Sequence, residues 1–120
     1  MYNDKVIKTF QDAKNSGVID NANGIGQVGN AECGDIMKMY LLIKDDKIVD
    51  AKFQTYGCAA AIASSSVATD LIKGKSIEYA LSLTNAQVVE ELEGLPPQKI
   101  HCSVLAEEAI KAAIDDYRKR

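Results

Sequence analysis

With 120 residues, 47% apolar and 26% charged, the chain has the size and balance of one soluble globular domain with a modest core. A formal net charge of −3 argues against an electrostatic grip on nucleic acid, and the basic Arg118-Lys119-Arg120 end suits a helix terminus instead. No run of about 20 apolar residues is present to span a membrane, and no basic-then-apolar leader opens the chain. Its 3 cysteines form no secreted disulfide framework, so the expected compartment is the cytoplasm, where thiols stay free for metal or sulfur chemistry.

In chain order, Tyr2, Val6, Ile7 and Phe10 predict a short amphipathic helix within residues 2–14, ending near Asn15-Ser16-Gly17. Gly24, Gly26 and Gly29 have the spacing of a dinucleotide fingerprint, which needs an apolar strand before it and a helix after it. Neither flanks this stretch, so a glycine-laced edge strand or loop is expected. Residues 36–43 alternate as a strand, with Met37, Met39, Leu41 and Ile43 on one face and Lys38, Tyr40 and Lys44 on the other. After a polar turn at Asp45-Asp46-Lys47, a second strand over 48–56 places Val49, Ala51 and Phe53 inward and Asp50, Lys52 and Gln54 outward. Together they predict a hairpin with one buried face. It ends at Tyr56-Gly57-Cys58, where Gly57 permits a sharp change of direction.

The small side chains of residues 59–73 predict a helix that packs closely on the sheet, with Gly74 just past its end. Ser76 introduces a short helix through Leu81, and Thr84-Asn85-Ala86-Gln87 fits a capping box for another through Leu92. Gly94, Pro96 and Pro97 stop it. A last helix runs to about Tyr117, with Val104, Leu105, Ala109, Ala112, Ala113 and Tyr117 spaced along one side. The expected class is α+β: a single domain over 1–120, with a small antiparallel sheet of about three strands against several helices, including a long C-terminal one.

Each cysteine falls at a junction between these elements. Cys33 precedes the first strand of the hairpin, Cys58 follows the second, and Cys102 opens the last helix. The hairpin returns the chain, so Cys33 and Cys58 belong at one end of the sheet, and the last helix brings Cys102 there if its start covers that end. A helix N-terminus at Cys102 would favour an anionic thiolate. With Asp35 and the only histidine, His101, the set offers thiolate, carboxylate and imidazole donors suited to zinc or iron. Spacing alone leaves open three incidental cysteines and a satisfied histidine.

Cys33-Gly34-Asp35, Tyr56-Gly57-Cys58 with Ala61-Ile62-Ala63-Ser64-Ser65-Ser66, and Leu95-Pro96-Pro97-Gln98-Lys99-Ile100-His101-Cys102-Ser103-Val104 together resemble the iron–sulfur scaffold family of IscU and the N-terminal domain of NifU. The resemblance covers essentially the whole chain, without the insertion of the SufU branch. It implies a scaffold and carrier, not an enzyme, that builds a [2Fe-2S] cluster from Fe2+ and sulfur and passes it to apo-proteins. Sulfur would arrive as persulfide from a pyridoxal-phosphate cysteine desulfurase, with Cys102 as persulfide acceptor. Cys33 and Cys58 would be ligands, and Asp35 and His101 would compete for the remaining position. Zn2+ would fit the same site in the isolated protein. Leu95, Pro96, Pro97, Gln98 and Lys99 resemble the segment that Hsp70-type chaperones grasp, with Gln98 in place of an apolar residue. Ferredoxin and a frataxin-like protein are further partners in the family, and Tyr2 matches a tyrosine implicated in a cluster-linked homodimer.

Two other readings compete. One is a structural or regulatory zinc module using the same residues. The other is a Cys–His hydrolase or transferase with Cys102 as nucleophile, against which stands the rarity of adjacent residues that point at each other as a nucleophile–base pair.

Overall fold

The computed structural model describes residues 2–30 and 34–120. Helix α1, Asp4–Asp12, starts where the Asn3 side chain accepts a hydrogen bond from the Val6 N–H, and ends where Ala13 turns left-handed. Three strands follow, β1 (Gly24–Asn30), β2 (Asp35–Lys44) and β3 (Lys47–Tyr56), in the antiparallel order β1-β2-β3. The hairpin between β2 and β3 turns on Asp45 and Asp46, at φ 52° and 61°, the left-handed pair that matches strand twist. The chain then runs through α2 (Ala59–Ile72), α3 (Ile77–Ser82), α4 (Asn85–Glu91), a 3-10 turn at Pro97–Lys99, and α5 (Ile100–Lys119).

Met37, Met39, Leu41, Ala51 and Phe53 form the inner face of the sheet, under α2 and α5. Val49 does not join them. A register shift between Leu42 and Ile43 places an extra residue in β3, so Ile43 pairs with Ile48 and Val49 is 49% exposed. Simple alternation does not register such a bulge. The second face is not open throughout either. Residues 15–17 pair along the edge of β3, through bonds between Asn15 or Gly17 and Phe53. Asn23 then bonds to Leu41 and Ile43, and Tyr40 is buried, its hydroxyl donating to Gln54 at 2.8 Å.

The glycine-rich stretch is indeed an edge strand, and α5 explains its composition. A Cβ at Gly26 would meet backbone atoms of Ala109, Ala112 and Ala113, and one at Gly24 would lie 2.7 Å from the Ala113 carbonyl. Glycine therefore lets the helix backbone lie against the strand. On the outer edge, the Ile25 N–H donates to Asp116 Oδ2 at 2.9 Å, which blunts an otherwise unpaired strand. This seating turns Cys102, Ala106, Ile110 and Ile114 into the core together with Ala109 and Ala113. The predicted stripe was rotated: Val104 and Ala112 are only half-buried.

Candidate metal and sulfur site

The pairing of Ile36 with Tyr56 sets the start of β2 beside the end of β3, so Asp35 and Cys58 meet at one end of the sheet. The first turn of α5 arrives there with His101 and Cys102. Asp35 is 3% exposed, and its carboxylate accepts from the Cys58 N–H at 3.4 Å. It fits because Gly57 has no side chain: a Cβ there would lie 3.0 Å from Asp35 Cγ and clash with Oδ1. Gly57 is thus a site residue by omission.

Four donor atoms converge. Cys58 Sγ and Cys102 Sγ are 3.7 Å apart, Cys102 Sγ is 3.9 Å from Asp35 Oδ2, and His101 Nε2 lies 3.3 Å from Asp35 Oδ2 and 3.6 Å from Cys102 Sγ. The donor atoms of Asp35, Cys58 and Cys102 all lie within 4.8 Å of one another, and His101 joins them from the side of Asp35 and Cys102. An ion held tetrahedrally at ~2.3 Å from each sulfur sets two sulfurs about 3.75 Å apart. The thiols already stand at that spacing. Cys33 lies outside the described residues.

The geometry also bears on the Cys–His pair. Adjacent in sequence, His101 and Cys102 do approach, in the first turn of α5, with Nε2 and Sγ 3.6 Å apart. Yet the thiol and the carboxylate both face the same ring nitrogen, Nε2. A nucleophile–base–orienter relay needs the two ring nitrogens to serve different partners. This arrangement points its donors at one place, as ligands do.

Burial, then the neighbouring Cys58 and Asp35, push the Cys102 thiol up to about 12. This corrects the expectation of a ready thiolate. The helical path begins a turn earlier, at Pro97, and the Lys99 and Ile100 N–H groups already bond to Pro96 and Pro97. The helix N-terminus that opens on the site is that of α2, for which Cys58 is the cap residue. Linkage gives a test. The unfolded chain releases this proton near pH 9 and the folded one retains it, so stability is full below 9.0 and falls as pH rises toward about 12. Denaturant unfolding of the metal-free protein should show an alkaline decline that is smaller in Cys102→Ser, the remainder coming from Tyr2 and Lys99, which are also raised; equal declines would contradict the assignment.

Two residues expected in other roles lie close to the thiols. Burial and the adjacent Cys58 hold the Tyr2 phenol above its usual range, with Lys99 opposing. The Lys99 ammonium is likewise raised, by Cys58 first and then Tyr2. Tyr2, expected at a dimer contact, and Lys99, expected in a chaperone segment, both stand beside the thiols. Leu95 packs against the core at the start of that segment.

Comparison with known proteins agrees with this geometry. The family model described as NifU-like N terminal domain matches residues 1–120. Iron-sulfur cluster assembly scaffold protein IscU 1 of Archaeoglobus fulgidus is 55% identical over 120 residues, covering 100% of this chain and 78% of its own. The IscU scaffold protein of Escherichia coli is 50% identical over 123 residues, covering 99% and 95%. A crystal structure described as a putative SUF-system scaffold from Fervidobacterium islandicum superposes with a TM-score of 0.81 at 25% identity, over 94% of this chain and 96% of that one. From the matched length and these identities, the chain belongs to the NifU-like N-terminal domain family.

Proposed function

We propose that this protein is a scaffold on which an iron–sulfur cluster is assembled and from which it is handed on. The observation that carries the reading is the convergence of Asp35, Cys58 and Cys102 at metal-ligand spacing beneath a part-exposed His101. Iron and sulfide are the cargo. Cys58 and Cys102 supply soft donors, and Asp35 supplies a carboxylate whose bond is weaker than a thiolate's. Cys33 is expected to complete the set. A carrier needs such a weak point, since uniform thiolate ligation would retain the cargo.

Cys102 is the proposed sulfur acceptor. Its thiolate would attack the outer sulfur of a desulfurase persulfide, the donor's sulfur–sulfur bond would break, and the donor cysteine would leave as thiolate. Two electrons per sulfur then yield sulfide, which calls for a ferredoxin-type donor. Because Cys102 holds its proton, this step requires a partner or a bound cation to draw it off, and Lys99 and His101 are the adjacent groups placed to assist. A [2Fe-2S] product, apo-protein acceptors, a chaperone at Leu95–Lys99 and a cytoplasmic setting complete the proposal.

The thiol spacing equally suits Zn2+, so a structural zinc module is the second reading. Anaerobic incubation with ferrous iron, cysteine and a desulfurase separates them. A visible chromophore that depends on Cys58 and Cys102 is expected, whereas tight zinc with no cluster would leave the zinc module standing. In the same preparation Asp35→Ala should keep its cluster longer than wild type during transfer. Equal or faster loss would remove Asp35 from the weak-point role.

A further inference from the structure

Asn3 uses both ends of one amide. Its Oδ1 accepts from the Val6 N–H at 2.8 Å, capping α1. Its Nδ2 donates to the carbonyls of Leu92, Glu93 and Gly94 at 3.0, 3.1 and 3.2 Å, across 89 to 91 positions of sequence. Those carbonyls lie where α4 ends and the chain turns through left-handed Glu93 and Gly94, at φ 60° and 108°. Carbonyls at such an end lack helical partners and need donors from elsewhere. The next residues are Leu95-Pro96-Pro97, leading straight to Lys99, His101 and Cys102. On its other side Asn3 is bonded to Tyr2, which, like Cys58, packs against the core, with its phenol in hydrogen-bonding reach of the Cys58 thiol.

We propose that Asn3 is a latch: by gripping the end of α4 it holds Tyr2 as a strap over the Cys58 side of the site, and so governs which reagents reach that thiol. Asn3 is a positioning residue and touches no ligand. A released latch frees the first residues while leaving Asp35, Cys102 and the sheet in place, because none of those is held by Asn3. The inference goes beyond the scaffold reading and holds whatever the site binds. Its test uses no iron, sulfide or desulfurase, so the failure of one is distinguishable from the failure of the other.

Aspartate at position 3 keeps an oxygen to cap α1 but has no N–H to donate, which separates the latch from the cap. In metal-free full-length protein, the rate of iodoacetamide labelling at Cys58 is read by peptide mass spectrometry, with Cys102 as internal reference. Asn3→Asp is expected to label at Cys58 about fivefold faster, the ratio that one ordinary hydrogen bond carries. Tyr2→Ala should reach a similar rate and the double variant should be no faster, with Cys102 unchanged throughout. A wild-type rate in Asn3→Asp, multiplying effects in the double variant, or equal acceleration at both cysteines would each overturn the latch. Asn3→Ser, which also retains a capping oxygen, gives an independent reading with the same criteria.

Discussion

Gly26→Ala is expected to destabilise the protein by about 3 kcal/mol or more, the upper part of the range for overpacking. The added methyl would lie 2.7 Å from the Ala112 carbonyl carbon and 2.8 Å from the Ala109 carbonyl oxygen, and would also strike the Ala113 nitrogen. All three are backbone atoms. No rotamer change relieves the contact, so α5 must lift from β1, and α5 carries His101 and Cys102. Such a loss is a large share of a stability of roughly 5–15 kcal/mol. Gly74→Ala is the control. It meets nothing within 4 Å but sits at φ 81°, so only local backbone strain of about 1–2 kcal/mol applies. Denaturant midpoints of the metal-free proteins check the ranking, and a Gly26→Ala midpoint at or above that of Gly74→Ala would contradict the packing argument.

Gly57→Ala should act on the site more than on the core. Its methyl would displace the Asp35 carboxylate, and loss of a properly held ligand typically weakens metal binding on the order of 10- to 100-fold. The same substitution should cost about 1–3 kcal/mol of stability by overpacking. In an Asp35→Ala background the steric part of that cost should vanish, because the atoms it strikes are gone. Competition titration with a chromophoric zinc chelator reads the affinity, and unfolding of the four proteins reads the coupling. Unchanged affinity, or strictly additive stability losses, would show that Asp35 moves aside freely.

Much of this was legible in the chain. Alternation from Met37 to Ile43 gave the inner face correctly, because Met37, Met39, Leu41 and Ile43 are all buried in the core cluster. It failed at Val49, where the bulge changes the count of residues and not their polarity. The last helix was legible as a helix, but the rotation that buries Cys102, Ala106 and Ile110 depends on the close seat over Gly24 and Gly26. Spacing gives the period of an apolar stripe; its partner decides which residues are deepest.

At the site, donor chemistry and motif resemblance group Cys33, Asp35, Cys58, His101 and Cys102, of which the structure brings the last four together. The charge state of Cys102 was not legible, since proximity to a helix start says nothing about burial or about which helix supplies free N–H groups. Tyr2, Asn3 and Lys99 take their places through contacts across the chain, and Gly57 acts by having no side chain. The signal for Gly57 lay in its position between a strand end and a candidate ligand, where close approach is as good a reason for glycine as a turn.

The measurement that tests the central claim most directly is cluster transfer. Wild-type protein is loaded anaerobically, mixed with an apo-ferredoxin, and followed by the acceptor's visible circular dichroism, alongside Cys58→Ser and Cys102→Ser treated identically. The account predicts that the wild type delivers a cluster to the acceptor and that neither variant does so above the rate of free iron and sulfide. Delivery by either variant at the wild-type rate would contradict a site built on these two thiols.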